Sequence, residues 1–408
     1  MRTSELAASG ALRRTRRTFI ALGLMPSFIG MSDALGAKRE LSRSVRRTLL
    51  VGPTHPFATP SQAANAAENG DFIEVAAGDY SQDVAVWTQD NLTIRTIGGR
   101  GRLIAGGASA EGKAIWVIRG GRVHVQGFDF IGTQVAGRNG AGIRFESGNL
   151  TVKDCRFIDN EMGLLTSNNV DAELIVEDSE FAFNKRLDGH NHNLYVGAIS
   201  TFKLIGSYVH HGHIGHLVKS RAAVSHILYN RLVDSNDGRS SYELEFPNGG
   251  VAIVIGNMIQ QSPLTDNPVM ISYGAEGYRW ADNFLGLTFN TLVDDLPLGG
   301  RFLRVTPGDV EVRALNNLTA GGGGVVLSGA GGEVFRNNFA LQRSQLVGRT
   351  TDEFRLSPRS RSVFRAIDAG SARGVSLQAA REFREPRGTS RLVRPPRYCG
   401  ARQRTLED

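Results

Sequence analysis

A short phrase that recurs along the chain constrains its fold more than any other feature. The phrase is a small polar residue, one variable residue and a large apolar residue, as in Cys155-Arg156-Phe157 and Asn257-Met258-Ile259. Its apolar anchors lie 21 to 33 residues apart, at Phe130, Phe157, Phe181, Val209, Leu232, Ile259, Leu292, Leu318 and Phe339. Such a period is typical of solenoids, in which variable loops interrupt a constant rung.

The pattern inside each period favours strands over helices. Apolar and polar residues alternate in LTVKDCRFI (150–158) and ELIVEDSEF (173–181), and no stretch from 120 to 340 keeps a period of 3.6. Leucine-rich repeats are excluded because their LxxLxL spacing and helical half-repeat are missing. Asn is frequent at the first position of the phrase. There it tolerates left-handed backbone geometry, and its amide is expected to bond the Asn one rung away.

From residue 50 to about 400 the chain resembles the pectate-lyase-like superfamily, in particular its exported bacterial members. Residues 60–80, PSQAANAAENGDFIEVAAGDY, are similar to that superfamily's entry segment, where an Ala-rich helix caps the solenoid, and 353–401 resembles its closing segment. The resemblance implies an all-β fold, a right-handed parallel β-helix of roughly ten rungs with an N-terminal capping helix. The boxes that define characterised lyase and epimerase families are absent, so it implies no single activity.

The first 37 residues form a separate segment. Thr15-Arg16-Arg17-Thr18-Phe19-Ile20 resembles the twin-arginine export consensus, and an apolar run too short to span a membrane follows it. Small residues at Ala34, Gly36 and Ala37 complete the order of a cleavable leader. The sequence therefore predicts a signal peptide at 1–37 and a periplasmic or secreted protein. No transmembrane segment is expected after the leader.

The rest of the chain divides into a linker (38–59), the parallel β-helix (60–342) and a basic C-terminal closing segment (343–408). The net charge of +7 comes from the two ends, because the body between them is slightly acidic. We expect no nucleic-acid partner, since no basic run is interleaved with aromatic residues. The basic segment is open to three interpretations: it covers a groove, binds an anionic surface or solubilises the exit. Cys155 and Cys399 are too few for a disulfide framework, and a bridge between them stays open.

Seven of the nine histidines fall between His190 and His226. In a parallel β-helix, equivalent residues of adjacent rungs stack about 4.8 Å apart and form columns. If Leu194, Leu217 and Leu244 point inward, the outward set is Asn193, Tyr195, Lys219, Arg221, Glu243 and Glu245. The turns that feed this strip carry His190, His192, His213 and His216, and its lower edge carries Tyr242, Tyr273 and Glu276. A register slip of one residue would exchange the two faces.

Enzymes of the superfamily commonly act on acidic polysaccharides, which the resemblance implies as the partner. Cleavage of a uronate chain by β-elimination needs a cation at the carboxylate, a base, and an acid for the leaving oxygen. Arg221 suits the carboxylate, Lys219, His192 or His216 the base, and Tyr195 the acid. The candidate catalytic residues are His192, Tyr195, His216, Lys219, Arg221 and Glu245. The candidate substrate-binding residues are His190, Asn193, His213, Tyr242, Glu243, Tyr273 and Glu276.

Other interpretations stay open. C5 epimerisation shares the first step, and Glu243 with Glu245 would suit a glycoside hydrolase. A non-catalytic glycan-binding protein is the alternative from another class. No cofactor is certain, although a divalent cation is open because His190, His192, His213 and His216 have the spacing of metal ligands. The histidines would also suit structural turns, and Arg221 with Glu245 a structural ion pair.

Overall fold

The computed structural model describes residues 46–186, 189, 191–327, 330–348 and 353–404. The predicted signal peptide and His190 lie outside the described residues. Within them, 29 strands form one continuous parallel sheet that winds through about ten turns. Parallel connections of this kind are right-handed. The predicted parallel β-helix is therefore confirmed.

The solenoid strands of the first rungs are β1 (Thr48–Val51), β2 (Phe72–Ser81), β3 (Ala85–Trp87), β4 (Leu92–Ile104), β5 (Ala114–Gln126), β6 (Phe128–Ile131), β7 (Ala141–Lys153), β8 (Arg156–Ile158), β9 (Met162–Thr166) and β10 (Asn169–Glu177). Those of the middle rungs are β11 (Glu180–Ala182), β12 (Leu194–Val196), β13 (Ile199–Ile205), β14 (Tyr208–His210), β15 (Val218–Ser220), β16 (Val224–Leu228), β17 (Arg231–Val233), β18 (Leu244–Phe246), β19 (Val251–Ile255) and β20 (Met258–Gln261). Those of the last rungs are β21 (Val269–Tyr273), β22 (Phe284–Thr288), β23 (Thr291–Asp294), β24 (Arg301–Val305), β25 (Gly308–Leu315), β26 (Leu318–Gly321), β27 (Gly324–Leu327), β28 (Ala330–Arg336) and β29 (Phe339–Leu341).

Each turn contributes to three stacks of strands. From the middle rungs onward the first stack runs β10, β13, β16, β19, β22, β25, β28. The second runs β11, β14, β17, β20, β23, β26, β29. The third runs β9, β12, β15, β18, β21, β24, β27. In the early rungs the long strands β2, β4, β5 and β7 each extend through two stacks.

Buried asparagines form a ladder at the turn between the first and second stacks. The side-chain amide of Asn230 donates to the side-chain oxygen of Asn257 at 3.0 Å, and the same bond joins Asn257 to Asn290 and Asn290 to Asn317. The predicted bond between amides of adjacent rungs is confirmed. The left-handed residue, however, is the one before the ladder, as Tyr229 (φ 57°) and Phe289 (φ 55°) show. The sequence prediction placed that geometry one residue too late at these two rungs, but it is confirmed at Asn316 (φ 59°) and Asn337 (φ 57°), each the first residue of its phrase.

The anchors from Phe130 to Leu292 point into the solenoid, whereas Leu318 and Phe339 lie in the outer cluster that packs against the C-terminal segment. Phe130, Phe157 and Phe181 are fully buried, and their rings stack with centroids 4.9 and 4.5 Å apart. Stacked rings on successive rungs thus form a continuous apolar column in the interior. Cys155 lies in the same core, and both it and Cys399 are buried free thiols.

Helix α1 (Pro60–Ala66) precedes β2, as the entry segment predicts. It begins at Thr59, whose side chain accepts from the Gln62 N–H, and its first residue is Pro60, which needs no hydrogen-bond partner there. Ala63 and Ala64 are buried in the main core. The range predicted as a linker, 38–59, contains strand β1, because 48–51 pairs in register with 72–75.

The C-terminal segment wraps the outside of the solenoid. Its elements are a 3₁₀ helix (Arg343–Gln345), β30 (Leu346–Val347), β31 (Arg355–Leu356), α2 (Pro358–Arg361), β32 (Ser371–Ala372), β33 (Val375–Ser376), β34 (Arg381–Phe383) and β35 (Thr389–Arg391). Phe364, Phe383 and Cys399 pack on second-stack residues such as Val293. Leu377 and Ala379 join the cluster of first-stack residues around Ile253. The C-terminal segment thereby covers part of the outer faces of the first two stacks, at the residues of these two clusters.

No helix among the described residues is long and apolar enough to cross a membrane.

Candidate functional site

The outward face of the third stack carries a column of polar side chains. Tyr195 on β12 pairs with Lys219 on β15, which pairs with Glu245 on β18. This is the predicted register for these three residues. Leu194 and Leu244 point inward as predicted, but the residue between them in the ladder is Val218 and not Leu217.

Lys219 and Arg221 are held in a network with two carboxylates. The Lys219 Nζ lies 2.9 Å from Glu245 Oε2 and 3.1 Å from Glu276 Oε1. The Arg221 guanidinium contacts both carboxylate oxygens of Glu276. The hydrogen bond from Arg221, supported by Lys219, lowers the pKa of Glu276 to about 2. The expected pair of Arg221 with Glu245 is therefore replaced by a pair with Glu276.

His216 adjoins this network as a neutral base. Burial lowers its pKa, and its Nε2 lies 3.1 Å from Glu245 Oε2. Burial alone would raise the pKa of Glu245, but His216 and Lys219 together lower it. With Nε2–H facing the carboxylate, Nδ1 of the neutral ring is the nitrogen that accepts a proton. That atom is buried and has no hydrogen-bond partner in the described part of the chain.

His192 joins His216 to Tyr195. Its ring lies 4.4 Å from the His216 ring and 5.5 Å from the Tyr195 ring, between centroids. Its Nδ1 accepts a 2.9 Å hydrogen bond from the His216 backbone N–H. Because Nδ1 is occupied, a neutral His192 carries its proton on Nε2 and acts as a donor there.

Tyr195 is fixed by Arg221. The Arg221 Nε donates to the Tyr195 hydroxyl at 3.0 Å, and Arg221 Nη1 donates to Asn248 Oδ1 at 2.9 Å. Trp280 donates through its indole N–H to the Arg221 backbone carbonyl at 3.1 Å. Both ends of Arg221 are thus positioned by the protein itself.

Three adjoining depressions follow this face, and together we call them the groove. The histidine depression, of about 620 Å³, is lined by His192, Ile214, Gly215, His216, Lys219, Ser241, Tyr242, Asp266, Asn267 and Pro268. The arginine depression, of about 430 Å³, is lined by Gly137, Arg138, Asn139, Arg144, Met162, Leu165, Thr166, Ser167, Asn168, Arg186, Asn191, His192 and Tyr195. The tryptophan depression, of about 380 Å³, is lined by Asn168, Tyr195, Ala198, Arg221, Asn248, Glu276, Arg279 and Trp280.

His192 lines the first two depressions and Tyr195 the last two, so these side chains separate neighbouring compartments of one groove. No lining residue comes from the C-terminal segment in the described part of the chain. The described part of the basic segment packs on the first two stacks and does not cover the groove.

Tyr242 lies in the groove, where its ring meets the His216 ring edge-on at 4.8 Å and its hydroxyl accepts from Arg304 at 3.1 Å. His213 does not line the groove and forms a strand-like bridge with Arg239. The other described histidines of the cluster lie elsewhere: His211 contacts Asp237, His210 contacts Glu180, and His226 sits on the first stack. The sequence cluster therefore splits over several faces of the solenoid.

Three predicted groove residues point inward, so their predicted placement is wrong. Asn193 is fully buried and accepts from the Asn184 amide, as the end of a second asparagine ladder. Tyr273 is fully buried and pairs with Phe246, because it occupies the inward column of the third stack. Glu243 is fully buried beside Asp234, one residue before its strand starts.

The Glu243 carboxyl is held away from solvent in a small acidic pair. Burial, with the nearby Asp234 as a second cause, raises the pKa of Glu243 well above its ordinary value. The Ser240 hydroxyl oxygen lies within hydrogen-bond distance of both carboxyls, 3.2 Å from Glu243 Oε1 and 3.0 Å from Asp234 Oδ2. This carboxyl therefore contributes no charge to the groove.

Within the described residues, no group of three or more His, Cys, Asp or Glu side chains converges to hold a metal ion. Of the four histidines predicted as possible metal ligands, His213 does not line the groove, and His190 lies outside the described residues. The rings of His192 and His216 lie 4.4 Å apart between centroids and are tilted by 33° to each other.

Arg144 and Trp280 are among the groove residues that sequence reasoning missed. Arg144 belongs to the same column as Tyr195, two rungs earlier through Leu165. Extending the column toward the N-terminus at the rung spacing would have found it. Trp280 lies on an insertion between β21 and β22, and no periodic signal marks such a position.

No protein-family model and no curated protein matches the sequence. Among solved structures, the crystal structure of pectate lyase Pel9A matches with a TM-score of 0.58 and 12% sequence identity. The match covers 89% of this chain and 97% of that chain. At this identity the likeness is one of fold. The chain thus has the pectate lyase-like β-helix fold that the sequence resemblance implied.

Proposed function

We propose that this chain is an exported lyase that cleaves an acidic, uronate-containing polysaccharide by β-elimination in the groove. The observation that carries the proposal is the neutral His216, held by Glu245 beside the Lys219 ammonium and lining an open groove. The fold shared with a solved pectate lyase supports a polysaccharide substrate. The leader at 1–37 supports export to the periplasm or beyond.

His216 is the base in this mechanism. The His216 ring, which lines the histidine depression, takes the proton from the sugar carbon next to the carboxylate, and the electron pair forms a double bond as the neighbouring glycosidic C–O bond breaks. Glu245 fixes the tautomer and stabilises the imidazolium that forms. Glu245 and Glu276 take two of the three N–H donors of the Lys219 ammonium, which lines the same depression; the third faces the uronate carboxylate and makes the abstracted proton more acidic.

Tyr195 is the acid for the leaving oxygen. Because Arg221 donates to its hydroxyl oxygen, the Tyr195 proton is directed to another acceptor. Arg221 is a positioning residue here, since its fork is occupied by Glu276. This assignment replaces the sequence-based role of Arg221 as the ligand of the substrate carboxylate.

The groove offers less support to a glycoside hydrolase. Hydrolysis needs one carboxylic acid that stays protonated near neutral pH and one carboxylate. Glu245 and Glu276 both have lowered pKa values, so neither suits the acid. Glu243, whose pKa is raised, is fully buried.

The test is to incubate the purified chain with a panel of uronate polymers and follow the ultraviolet absorbance of the unsaturated uronate that only elimination creates. Absorbance should rise, and His216→Gln should lower the rate about 10²- to 10⁴-fold. His226→Gln is the matched control, because His226 also has a pKa lowered by burial but lies on the first stack. Its rate should stay within about twofold of the parent.

A flat absorbance with intact polymer contradicts the lyase and favours a glycan-binding protein. New reducing ends without absorbance indicate a hydrolase, and an inverted uronate C5 indicates an epimerase. Repeating the assay with a chelator and with added Ca²⁺ shows whether a divalent cation takes part.

A further inference from the structure

Arg144 is a half-buried cation without a counter-ion among the described residues. It lies on the outer face of the third stack, and its Nη2 donates to the Ser167 hydroxyl at 3.2 Å. Its Nε is buried with no hydrogen-bond partner, and no described carboxylate lies within ion-pairing distance of it. Burial lowers its pKa. The nearby Glu146 is committed elsewhere, to Lys113 and Arg119.

An uncompensated buried charge is costly, and proteins normally pair it. The outward arginines of neighbouring rungs follow that rule: Arg95 pairs with Glu74, and Arg102 pairs with Asp79. Arg144 departs from the rule at the floor of the arginine depression. A missing partner at such a position indicates an anion supplied by a ligand.

The surroundings of Arg144 fit an anionic sugar. Arg138 and Arg186 also line the arginine depression, and no described lining residue is acidic. Asn139, Asn168 and Ser167 add amide and hydroxyl groups suited to sugar hydroxyls. Tyr195 forms the wall shared with the next compartment. The depression therefore combines positive charge with neutral hydrogen-bonding groups.

We propose that Arg144 binds the carboxylate of a substrate sugar that does not itself react. The substrate class rests on the proposed function. Two rungs separate Arg144 from Tyr195, about 10 Å along the solenoid axis. A polymer lying along the groove would place a different sugar at each position. The guanidinium fork binds a carboxylate through two parallel hydrogen bonds, whereas a lysine offers only a point charge.

Binding is measured in a His216→Gln background, where the polymer stays intact, by titration calorimetry with polygalacturonate. Arg144→Gln should weaken binding about 10- to 100-fold, and Arg144→Lys should recover only part of it. Arg95→Gln, which alters an exposed arginine on the first stack, should bind like the parent. Fully methyl-esterified polygalacturonate keeps the backbone without the charge, and its binding should not depend on Arg144.

Dextran sulfate tests whether the subsite prefers a carboxylate or accepts any polyanion. If it prefers a carboxylate, Arg144→Gln should weaken the binding of dextran sulfate less than about threefold. Thermal unfolding of Arg144→Gln serves as the folding control. The melting temperature should not fall, since the substitution removes an uncompensated charge. In the active chain, Arg144→Gln should raise KM by the same factor with kcat within about twofold, as expected for uniform binding.

Unchanged polygalacturonate binding in Arg144→Gln overturns the subsite, as does an equal loss with the methyl ester or dextran sulfate. The two proposals fail separately. If no polymer is cleaved but Arg144→Gln still weakens polygalacturonate binding, the subsite stands and the lyase fails. If cleavage proceeds with an unchanged KM in Arg144→Gln, the lyase stands and the subsite fails.

Discussion

Two polar columns run along this solenoid, and they differ in nearly every property. The asparagine ladder from Asn230 to Asn338 lies between the first and second stacks, is buried up to Asn317, and repeats one neutral bond four times. The groove column of Tyr195, Lys219 and Glu245 lies on the outer face of the third stack, and its three side chains differ in charge. Both columns arise from the same rung spacing.

The difference lies in how completely each column satisfies itself. Each ladder amide donates to the next rung and accepts from the previous one, so identical residues suffice at every step. Around the groove column, His216 Nδ1 and Arg144 Nε lack partners among the described residues. A column that satisfies its own polar groups stabilises the fold, whereas one that leaves them unsatisfied is suited to bind something else.

Breaking the ladder should give the largest loss of stability. Asn257→Ala removes an acceptor from Asn230 and a donor to the Ile227 carbonyl, all in a fully buried site. We expect the free energy of unfolding to fall by about 3 kcal/mol or more. Urea unfolding followed by circular dichroism measures it, and the folded fraction should keep the parent kcat.

Asn338→Ala is the matched control at the exposed end of the ladder. Asn338 is only half-buried, so water can replace part of what is lost. Its loss should be under about half that of Asn257→Ala. Equal losses at the two positions would contradict a ladder whose contribution depends on burial.

Neutralising Glu243, in the buried acidic pair behind the groove, should change the free energy of unfolding less than Asn257→Ala does and in the opposite direction. The raised pKa of Glu243 means that its stabilising protonated form is fully present below about pH 4.5 and is lost as the pH rises through the folded-state value. Glu243→Gln should therefore match the parent at low pH and exceed it in stability as the pH rises. For one proton the difference grows by at most about 1.4 kcal/mol per pH unit.

Asp234→Asn separates this effect from a general tolerance of neutral residues. The two carboxylate oxygens of Asp234 accept from the Gly212 N–H at 2.8 Å and the Ser240 N–H at 2.7 Å. Asparagine replaces one of these oxygens with an NH₂ group, which cannot accept a hydrogen bond. We expect a loss of about 1–3 kcal/mol at pH 7. Stabilisation by Asp234→Asn, or a pH-independent effect of Glu243→Gln, would contradict the assignment.

The smallest effect is expected at Glu276, on the exposed edge of the groove column. Its lowered pKa gives stability that is present above about pH 4.5 and lost as the pH falls toward 2. Because the side chain is 40% exposed, Glu276→Gln should cost less than about 1 kcal/mol at pH 7. Unfolding curves from pH 7 to pH 2 should converge for the two chains.

High salt should shrink the Glu276 effect by screening. Asp79→Asn, which breaks the exposed pair with Arg102 on the second stack, is the comparison. It should have a smaller effect because its carboxylate meets one cation and not two. A Glu276→Gln effect as large as that of Asn257→Ala would show that the groove column stabilises the fold as the ladder does.

The fold could be predicted because its signal repeats. The anchors Phe157, Phe181 and Val209 recur at rung spacing, and an error at one rung is corrected by its neighbours. The register of Tyr195, Lys219 and Glu245 followed from the same periodicity. Asn193 was misplaced because its strand starts one residue later, at Leu194. Tyr273 was misplaced because its side chain points inward, where its hydroxyl donates to the Gly250 carbonyl.

The groove could be predicted only in part because its contacts cross insertions of variable length. Glu276 reaches Lys219 and Arg221 from beyond β21, and Trp280 reaches the Arg221 carbonyl from the same insertion. The histidines were grouped by sequence distance, yet the solenoid turns by one stack every few residues. His192 and His216 share a face, while His210 and His226 do not.

By itself the sequence determined the parallel β-helix, the inward anchors and the ladder of amides. These features depend on a pattern that every rung repeats, and repetition is visible in one dimension. Only the tertiary structure decided which cations have counter-ions, since pairing depends on distances across rungs and insertions. In the structure Arg221 pairs with Glu276, and Glu245 lies against His216. Arg144 is half-buried with no described carboxylate within ion-pairing distance. Charge compensation is a property of three-dimensional neighbours, and no spacing in the chain encodes it.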